Sequence, residues 1–401
     1  MSNEKSDASY DEMSAAWYRW CDSLRRVPDL IKQLGQEDDP RIQAEGYRYL
    51  ARLANMAIER GFESDDADFP RLLYCQGPAR KIGGDCPDAV YRDCAIDGAG
   101  AYRLSGNGGN AASLIFSLMR DPAQAALNQK STVAASYTDK ELEFESDGTF
   151  EIYFGGEPRS RNWRPLPADS ARLIIRQFFG SLAPPQPARL AIERLDAPSK
   201  SSALGPKNIT RALGAAKGFF DHIPEFWAGE LDRLFEQQNY IAALPPDDQG
   251  RLQALPSGTP LWGSYRLAEK QALLIEFTPP ACDYWSLLSG GQWFESLDYR
   301  TQVCHLNMDQ VEIDDDRVVR VLVAHEDPGV PNWLETGGNE QGFLLLRYLG
   351  ADSTPEPSCR VIAFDEIAAE LPFPTRTVSR EERASERLTR RRASDHRAEG
   401  I

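Results

Sequence analysis

Asp147-Gly-Thr-Phe-Glu-Ile-Tyr-Phe154, followed by Arg161-Asn162-Trp163 and then by Leu173-Ile-Ile-Arg176, decides how this chain is read. The same order returns as Asp315-Asp-Arg-Val-Val-Arg-Val-Leu-Val323, Pro331-Asn332-Trp333-Leu334 and Phe343-Leu-Leu-Leu-Arg347. From tryptophan to arginine the step is 13 residues in the first copy and 14 in the second. Each copy reads as a hairpin, a loop carrying Asn-Trp, and a third strand ending in arginine. The loop Asn can bond neighbouring backbone, the Trp can close the open end of a sheet, and the Arg can cap loop carbonyls or pair with the hairpin Asp. One β-rich unit used twice predicts an α+β protein, mainly β with added helices, built from two related β modules.

Outward from these units, period-two alternation marks further strands at Tyr91 to Ile96, Ala101 to Leu104 and Leu142 to Phe144 in the first block. In the second block it marks Gly263 to Leu267, Ala272 to Phe277, Tyr299 to Leu306 and Cys359 to Phe364. Turn-formers such as Asp97-Gly98 and Asp147-Gly148 separate them. Residues 13–34 and 41–60 carry apolar stripes at three- and four-residue steps, including Trp17, Trp20, Tyr49 and Leu53, and predict an N-terminal helical pair. Residues 208–243 predict a helical insert that Pro224 breaks in two, with Asn208 or Thr210 as N-cap. A Pro/Gly-rich linker follows from Pro245 to Pro260. The expected organisation is a helical segment 1–67, a first β module 68–197, a connector 198–258, a second β module 259–370 and an Arg-rich tail 371–401. That tail reads as a short helix running into solvated chain.

Composition narrows the function. The net charge is −16, and residues 376–401 hold eight arginines against five acids, so the rest of the chain is more acidic still. Such a body repels nucleic acid and anionic membrane surfaces, and it disfavours a polyanionic substrate unless a local basic pocket exists. No apolar run reaches the roughly 18 residues of a membrane span, and residues 1–12 lack the order of a secretory signal, so cytoplasmic residence is expected. Seven scattered cysteines form no Cys-x-x-Cys pair and predict reduced thiols. No histidine spacing supports a metal, and no glycine-rich loop or Gly-x-Ser-x-Gly supports a nucleotide or a nucleophile elbow, so neither metal nor cofactor is expected.

Candidate chemistry concentrates in the second block. Alternation from Tyr299 onward puts His305 and Asn307 on one face of a strand, while His325 ends another strand at the module rim. A general acid–base site from His305 or His325 is chemically reasonable, with Asp298, Asp283 or Glu269 as orienter, Arg300 as oxyanion partner and the Tyr284 phenol as proton donor. Tyr284, Trp285, Trp293, Phe294 and Tyr299 fall within sixteen residues and could line an apolar pocket. Asn307, Asn332 and Trp333 complete the expected substrate contacts. These features predict binding, and acid–base transformation of the lyase, isomerase or hydrolase type, of a small hydrophobic or aromatic molecule. The rival is a non-catalytic binding or assembly protein, a homo-oligomer joined through its N-terminal helices. Catalysis predicts that His305, His325, Tyr284 and Arg300 converge on one cavity larger than about 300 Å³ beside the second Asn-Trp loop; binding alone predicts the pocket without convergent titratable groups.

The string from Asp327 to Gly338, with Trp293 to Arg300 and Tyr284-Trp285, resembles the bacterial domain of unknown function 1214 family. Tyr102-Arg103, Asp147-Gly148 and Asn162-Trp163 resemble a more divergent relative of it, so the resemblance spans about residues 85–365. Asp315-Asp316 stands where the family often has Asp-Gly. The resemblance implies a β-sandwich or jelly-roll-like scaffold and carries no chemistry.

Overall fold

A computed structural model describes residues 2–34, 39–121, 131–180, 185–200, 203–245, 260–372 and 375–399, with the side chains of residues 2–8 and 398–399 excepted. The expected linker at 245–260 lies almost wholly outside the described residues. In the first block, β1 (Leu73–Gln76), β2 (Ala89–Ala95), β4 (Ser113–Arg120), β5 (Val133–Thr138) and β8 (Ser170–Phe178) form a five-stranded sheet in the order β1-β2-β8-β4-β5. Against it lies a four-stranded sheet, β7-β6-β3-β9, from β3 (Tyr102–Asn107), β6 (Thr149–Phe154), β7 (Trp163–Arg164) and β9 (Arg189–Arg194). Leu104, Ile152 and Phe154 from one sheet and Phe116, Leu118 and Leu173 from the other share one buried cluster, so the module is a sandwich.

The second block has the same topology strand for strand. Its five-stranded sheet is β10-β11-β17-β13-β14, from β10 (Tyr240–Ala243), β11 (Pro260–Arg266), β13 (Tyr284–Ser289), β14 (His305–Asn307) and β17 (Gln341–Leu349). Its four-stranded sheet is β16-β15-β12-β18, from β12 (Gln271–Phe277), β15 (Val319–Ala324), β16 (Trp333–Glu335) and β18 (Ser358–Ala363). Both modules even share one parallel pair, β6 with β7 and β15 with β16. The Asn-Trp loop makes that pair. Asn162 and Asn332 adopt left-handed backbone, with φ of 49° and 52°. Each bridges the chain before it: Asn162 accepts from Glu143 N at 2.9 Å and donates to Glu143 O at 2.8 Å, while Asn332 does the same with Glu312 at 2.8 and 2.6 Å. Trp163 Nε1 donates to Gly155 O and Trp333 Nε1 to Ala324 O.

The helices α1 (Ser2–Arg25), α2 (Val27–Leu34), α3 (Pro40–Glu63) and α4 (Pro206–Phe235) form one layer on the second module. Trp20, Leu53 and Ala57 pack with Leu213, Ala216 and Phe220, and the cluster continues into Trp262, Leu288, Phe343 and Leu345 of the sheet. Trp227 of α4, Phe294 and Phe343 stack face to face at centroid spacings of 4.6 Å, joining helix to sheet.

Several expectations are corrected. Pro224 does not break the insert: α4 is continuous, because burial of Pro224 and its neighbours outweighs the roughly 3 kcal/mol an internal proline costs. Its N-cap is Gly205, to whose N–H the Asn208 side chain reaches back. Residues 142–144 are irregular, and Tyr299 to Gln302 is a turn, leaving a strand only at His305–Asn307. Trp17 is half exposed while Ala16 and Trp20 face the core. The Arg-rich segment is not a solvated tail. After a short helix α5 (Ile367–Glu370), it forms α6 (Arg380–Glu399), whose Arg383, Arg390, Ala393, Ser394 and Arg397 are buried in one stripe. Among the described residues no helix is long and apolar enough to cross a membrane.

Candidate functional site

Three parts of the chain meet at one carboxylate. Gly83 and Gly84, both at positive φ, turn the backbone into Asp85-Cys86-Pro87-Asp88 just before β2 and carry Asp88 inside. There its Oδ2 accepts from the Tyr284 hydroxyl at 3.2 Å and from Asn307 Nδ2, and lies 3.7 Å from His305 Nδ1. Its Oδ1 is 3.4 Å from Arg397 Nη2 of α6. Strand alternation accounts for the pair from β14: His305 and Asn307, two residues apart, face the same way.

His305 is almost fully buried, and its Nε2 lies 3.5 Å from the Tyr284 hydroxyl and 3.8 Å from Cys86 Sγ. Burial pushes its pKa down to about 4; Asp88 opposes this, and the Arg390, Arg347 and Arg397 guanidiniums add to it. The imidazole is therefore neutral at pH 7. Burial likewise raises the Tyr284 phenol well above its ordinary range, with Cys86 and Asp88 adding to the effect, and raises the Cys86 thiol. Both stay protonated, so the cluster holds two weak acids beside one neutral base. Cys86 and Asp88 contact opposite ring nitrogens of His305, an arrangement that does not focus them on one ion. Among the described residues no group of three or more His, Cys, Asp or Glu side chains is placed to hold a metal.

The cluster backs a small cavity of about 20 Å³ that opens to solvent, lined by Pro87, Asp88, Tyr299, Gln302, His305, Gln310, Arg390, Ser394 and Arg397. Arg390 of α6 forms part of the rim: it donates to His305 O at 2.7 Å and Gln310 Oε1 at 2.8 Å while chelating Glu386.

Of the residues expected to converge, the structure brings together Tyr284, His305, Asn307 and Tyr299. Arg300 and Asp298 do not join them, since the turn at 299–302 directs Arg300 to Asp395 at 2.9 Å and Asp298 caps that turn. His325 is elsewhere, bonded to Thr336 Oγ1 at 2.8 Å and Leu267 O at 3.0 Å. Asp283 pairs with Lys140. Trp285 belongs to the second sandwich core, Trp293 donates to Ile42 O under α3, and Trp333 lies beneath Arg383 and Arg387. Asn332 serves its loop. Of the four residues expected on one cavity, His305 alone lines it; Tyr284 lies buried behind it, and His325 and Arg300 are elsewhere.

The profile of the family described as "Protein of unknown function (DUF1214)" matches residues 91–181. A crystal structure of an uncharacterized protein from Burkholderia cenocepacia is similar at TM-score 0.84 and 30% identity, over 90% of this chain and 100% of that one. This chain belongs to the DUF1214 family. A structural-genomics target from Vibrio parahaemolyticus aligns at TM-score 0.44 and 11% identity, over 79% of this chain and 98% of that one, a likeness too weak to bear on function. No curated protein matches the sequence.

In this DUF1214 protein the family match falls on the first module and not, as expected, on the string from Asp327 to Gly338 of the second, although the second carries most of the titratable cluster. Matching the two modules through Arg176 and Arg347 makes the contrast explicit. Arg176 pairs with Ile115, and Ile115 with Thr138; Arg347 pairs with Ser286, and Ser286 with Asn307. By that register Ser113, Ser136 and Thr138 occupy the places of Tyr284, His305 and Asn307. The scaffold is common and the titratable set is not. Sequence reasoning missed Asp88, Cys86, Ser394 and Arg397. The signals available were a Gly-Gly turn feeding two acids and a proline, and the three- and four-residue spacing of Arg383, Arg387, Arg390, Ser394 and Arg397.

Proposed function

We propose that this DUF1214 protein binds a small molecule in the cavity between its modules and α6, and transforms it by cofactor-independent acid–base chemistry of the lyase, isomerase or hydrolase type. The observation that carries this reading is His305 and Asp88 side by side on one cavity wall, with the buried Tyr284 hydroxyl bonded behind them. In it, neutral His305 accepts a proton, Asp88 stabilises the imidazolium that forms, and the Tyr284 phenol supplies a proton to the cluster. Of the aromatic run once expected to line an apolar pocket, Tyr299 alone among the lining residues remains, so the molecule is small and presents at most one apolar edge. Non-catalytic binding is the second reading, favoured by a cavity of about 20 Å³, far below the roughly 300–1,000 Å³ of drug-sized sites. Cytoplasmic residence, supported by seven unpaired cysteines, and self-association belong to the same proposal.

The test is mass spectrometry of small molecules released from the purified chain, followed by turnover assays on the compounds found. His305→Gln is expected to lower turnover about 100-fold or more while leaving binding in place. Turnover equal to the parent's removes His305 as the base, and bound compound without turnover selects the binding reading.

A further inference from the structure

The cavity wall carries donors that nothing among the described residues accepts. Arg397 is buried and faces Asp88 through Nη2, yet its Nε and Nη1 have no hydrogen-bond partner. One turn earlier on α6 the Ser394 hydroxyl, also buried, has none either. Both residues line the same cavity. Arg390 beside them is different, with its guanidinium engaged by Glu386, Gln310 and the His305 carbonyl. A buried donor left unpaired costs about 1–3 kcal/mol, and more when charged. Three such atoms on one short stretch of wall point to an acceptor from outside the chain.

Local charge says what kind of acceptor. Arg347, Arg390 and Arg397 all act electrostatically on His305, against the carboxylates of Asp88 and of Glu386, which pairs with Arg390. Counting Arg347, which acts on His305 without lining the cavity, this local set carries one positive charge in excess in a protein whose net charge is −16. Arg347 also keeps its Nη1 without a partner. A guanidinium with free N–H groups beside a hydroxyl donor matches an oxyanion, and a single excess charge matches a monoanion. The small volume limits the anion to a few heavy atoms.

We propose that the cavity binds a small monocarboxylate, or a small molecule through its one carboxylate, held by Arg397 and Ser394. This names the substrate class of the site proposed above and rests on that reading for its catalytic meaning, though not for binding. The carboxylate lies against α6, and the remainder of the molecule faces His305 and Tyr299. The acidic body meanwhile disfavours larger polyanions at long range.

The test uses the full chain with sodium acetate and sodium formate as probes and sodium chloride at equal ionic strength as the control. Acetate or formate is expected to raise the thermal midpoint in proportion to occupancy and to give a calorimetric dissociation constant. Arg397→Gln is expected to weaken that constant at least tenfold and Ser394→Ala several-fold. Circular dichroism checks each fold, and Ser394→Ala, which leaves every observed charge pair in place, carries the test if Arg397→Gln does not fold. Probes that do no more than chloride, or that bind parent and variants equally, overturn the carboxylate site. His305→Gln separates the two proposals: acetate binding that survives this substitution, with no turnover by the parent on any carboxylate, keeps the anion site and removes the acid–base reading. Turnover of a substrate lacking a carboxylate, unaffected by Arg397→Gln, does the reverse.

Discussion

His305 stands 3.7 Å from Asp88, close enough for a carboxylate to favour the imidazolium, but burial outweighs that attraction and holds its pKa near 4. Arg390, Arg347 and Arg397 face it from α6 and β17, and Tyr284 and Cys86 close the remaining side. An unfolded chain takes up this proton below about pH 6.5, whereas the folded chain resists until about pH 4. The stabilisation is therefore complete above pH 6.5 and is lost as pH falls toward 4, amounting to about 3 kcal/mol over the whole window. Urea denaturation of parent and His305→Gln at pH 7 and pH 5 checks this. The parent is expected to lose about 2 kcal/mol more than the variant between those values; parallel losses would mean that His305 titrates normally in the folded protein.

Among elements, the two Asn-Trp loops are the clearest case of local sequence specifying local structure. Asn332 holds φ at 52° while its amide ties the loop to Glu312 through two hydrogen bonds. Asn332→Ala meets both the left-handed backbone and the lost bonds and is expected to cost about 2–3 kcal/mol. Asn332→Gly, which relieves the backbone and loses only the bonds, is expected to cost about half as much. Chemical denaturation ranks the two, and an alanine variant no worse than the glycine variant removes the backbone argument. These loops were legible because everything they need lies within about twenty residues. Helix α6 was not, because the partners of its arginines are Asp327, Glu335, the His305 carbonyl and Asp88, scattered along the chain. Read alone, Arg383 to Arg397 is simply basic, and only the fold turns one side of it inward. Asp88 escaped notice for the same reason: nothing near it in sequence announces that Tyr284 and Asn307 will reach its carboxylate.

On the scale of the whole molecule, one sandwich topology occurs twice, as two related modules were expected to, but the strand order within each sheet was not legible in the sequence. Nor was the packing of the helices. The N-terminal helices precede the first module in sequence yet cover the second, because α4, inserted between the modules, supplies the apolar face they share with Trp262 and Phe343. Helix α6 then spans the place where the two modules meet. Deleting residues 375–401 is expected to open the cavity to water and return the His305 titration from about 4 toward 6.5, read by NMR of the imidazole. A titration that stays near 4 would mean that the two modules bury the ring without α6. Asp88 and Arg397 are 309 positions apart. At synthesis rates of about 5–20 residues per second, roughly 15–60 s separate their emergence from a ribosome. Throughout that interval the first module can already be folded while its carboxylate still waits for its arginine. The cavity is thus finished only after both sandwiches have been made, and a chain that stops just short of α6 carries them without a finished site.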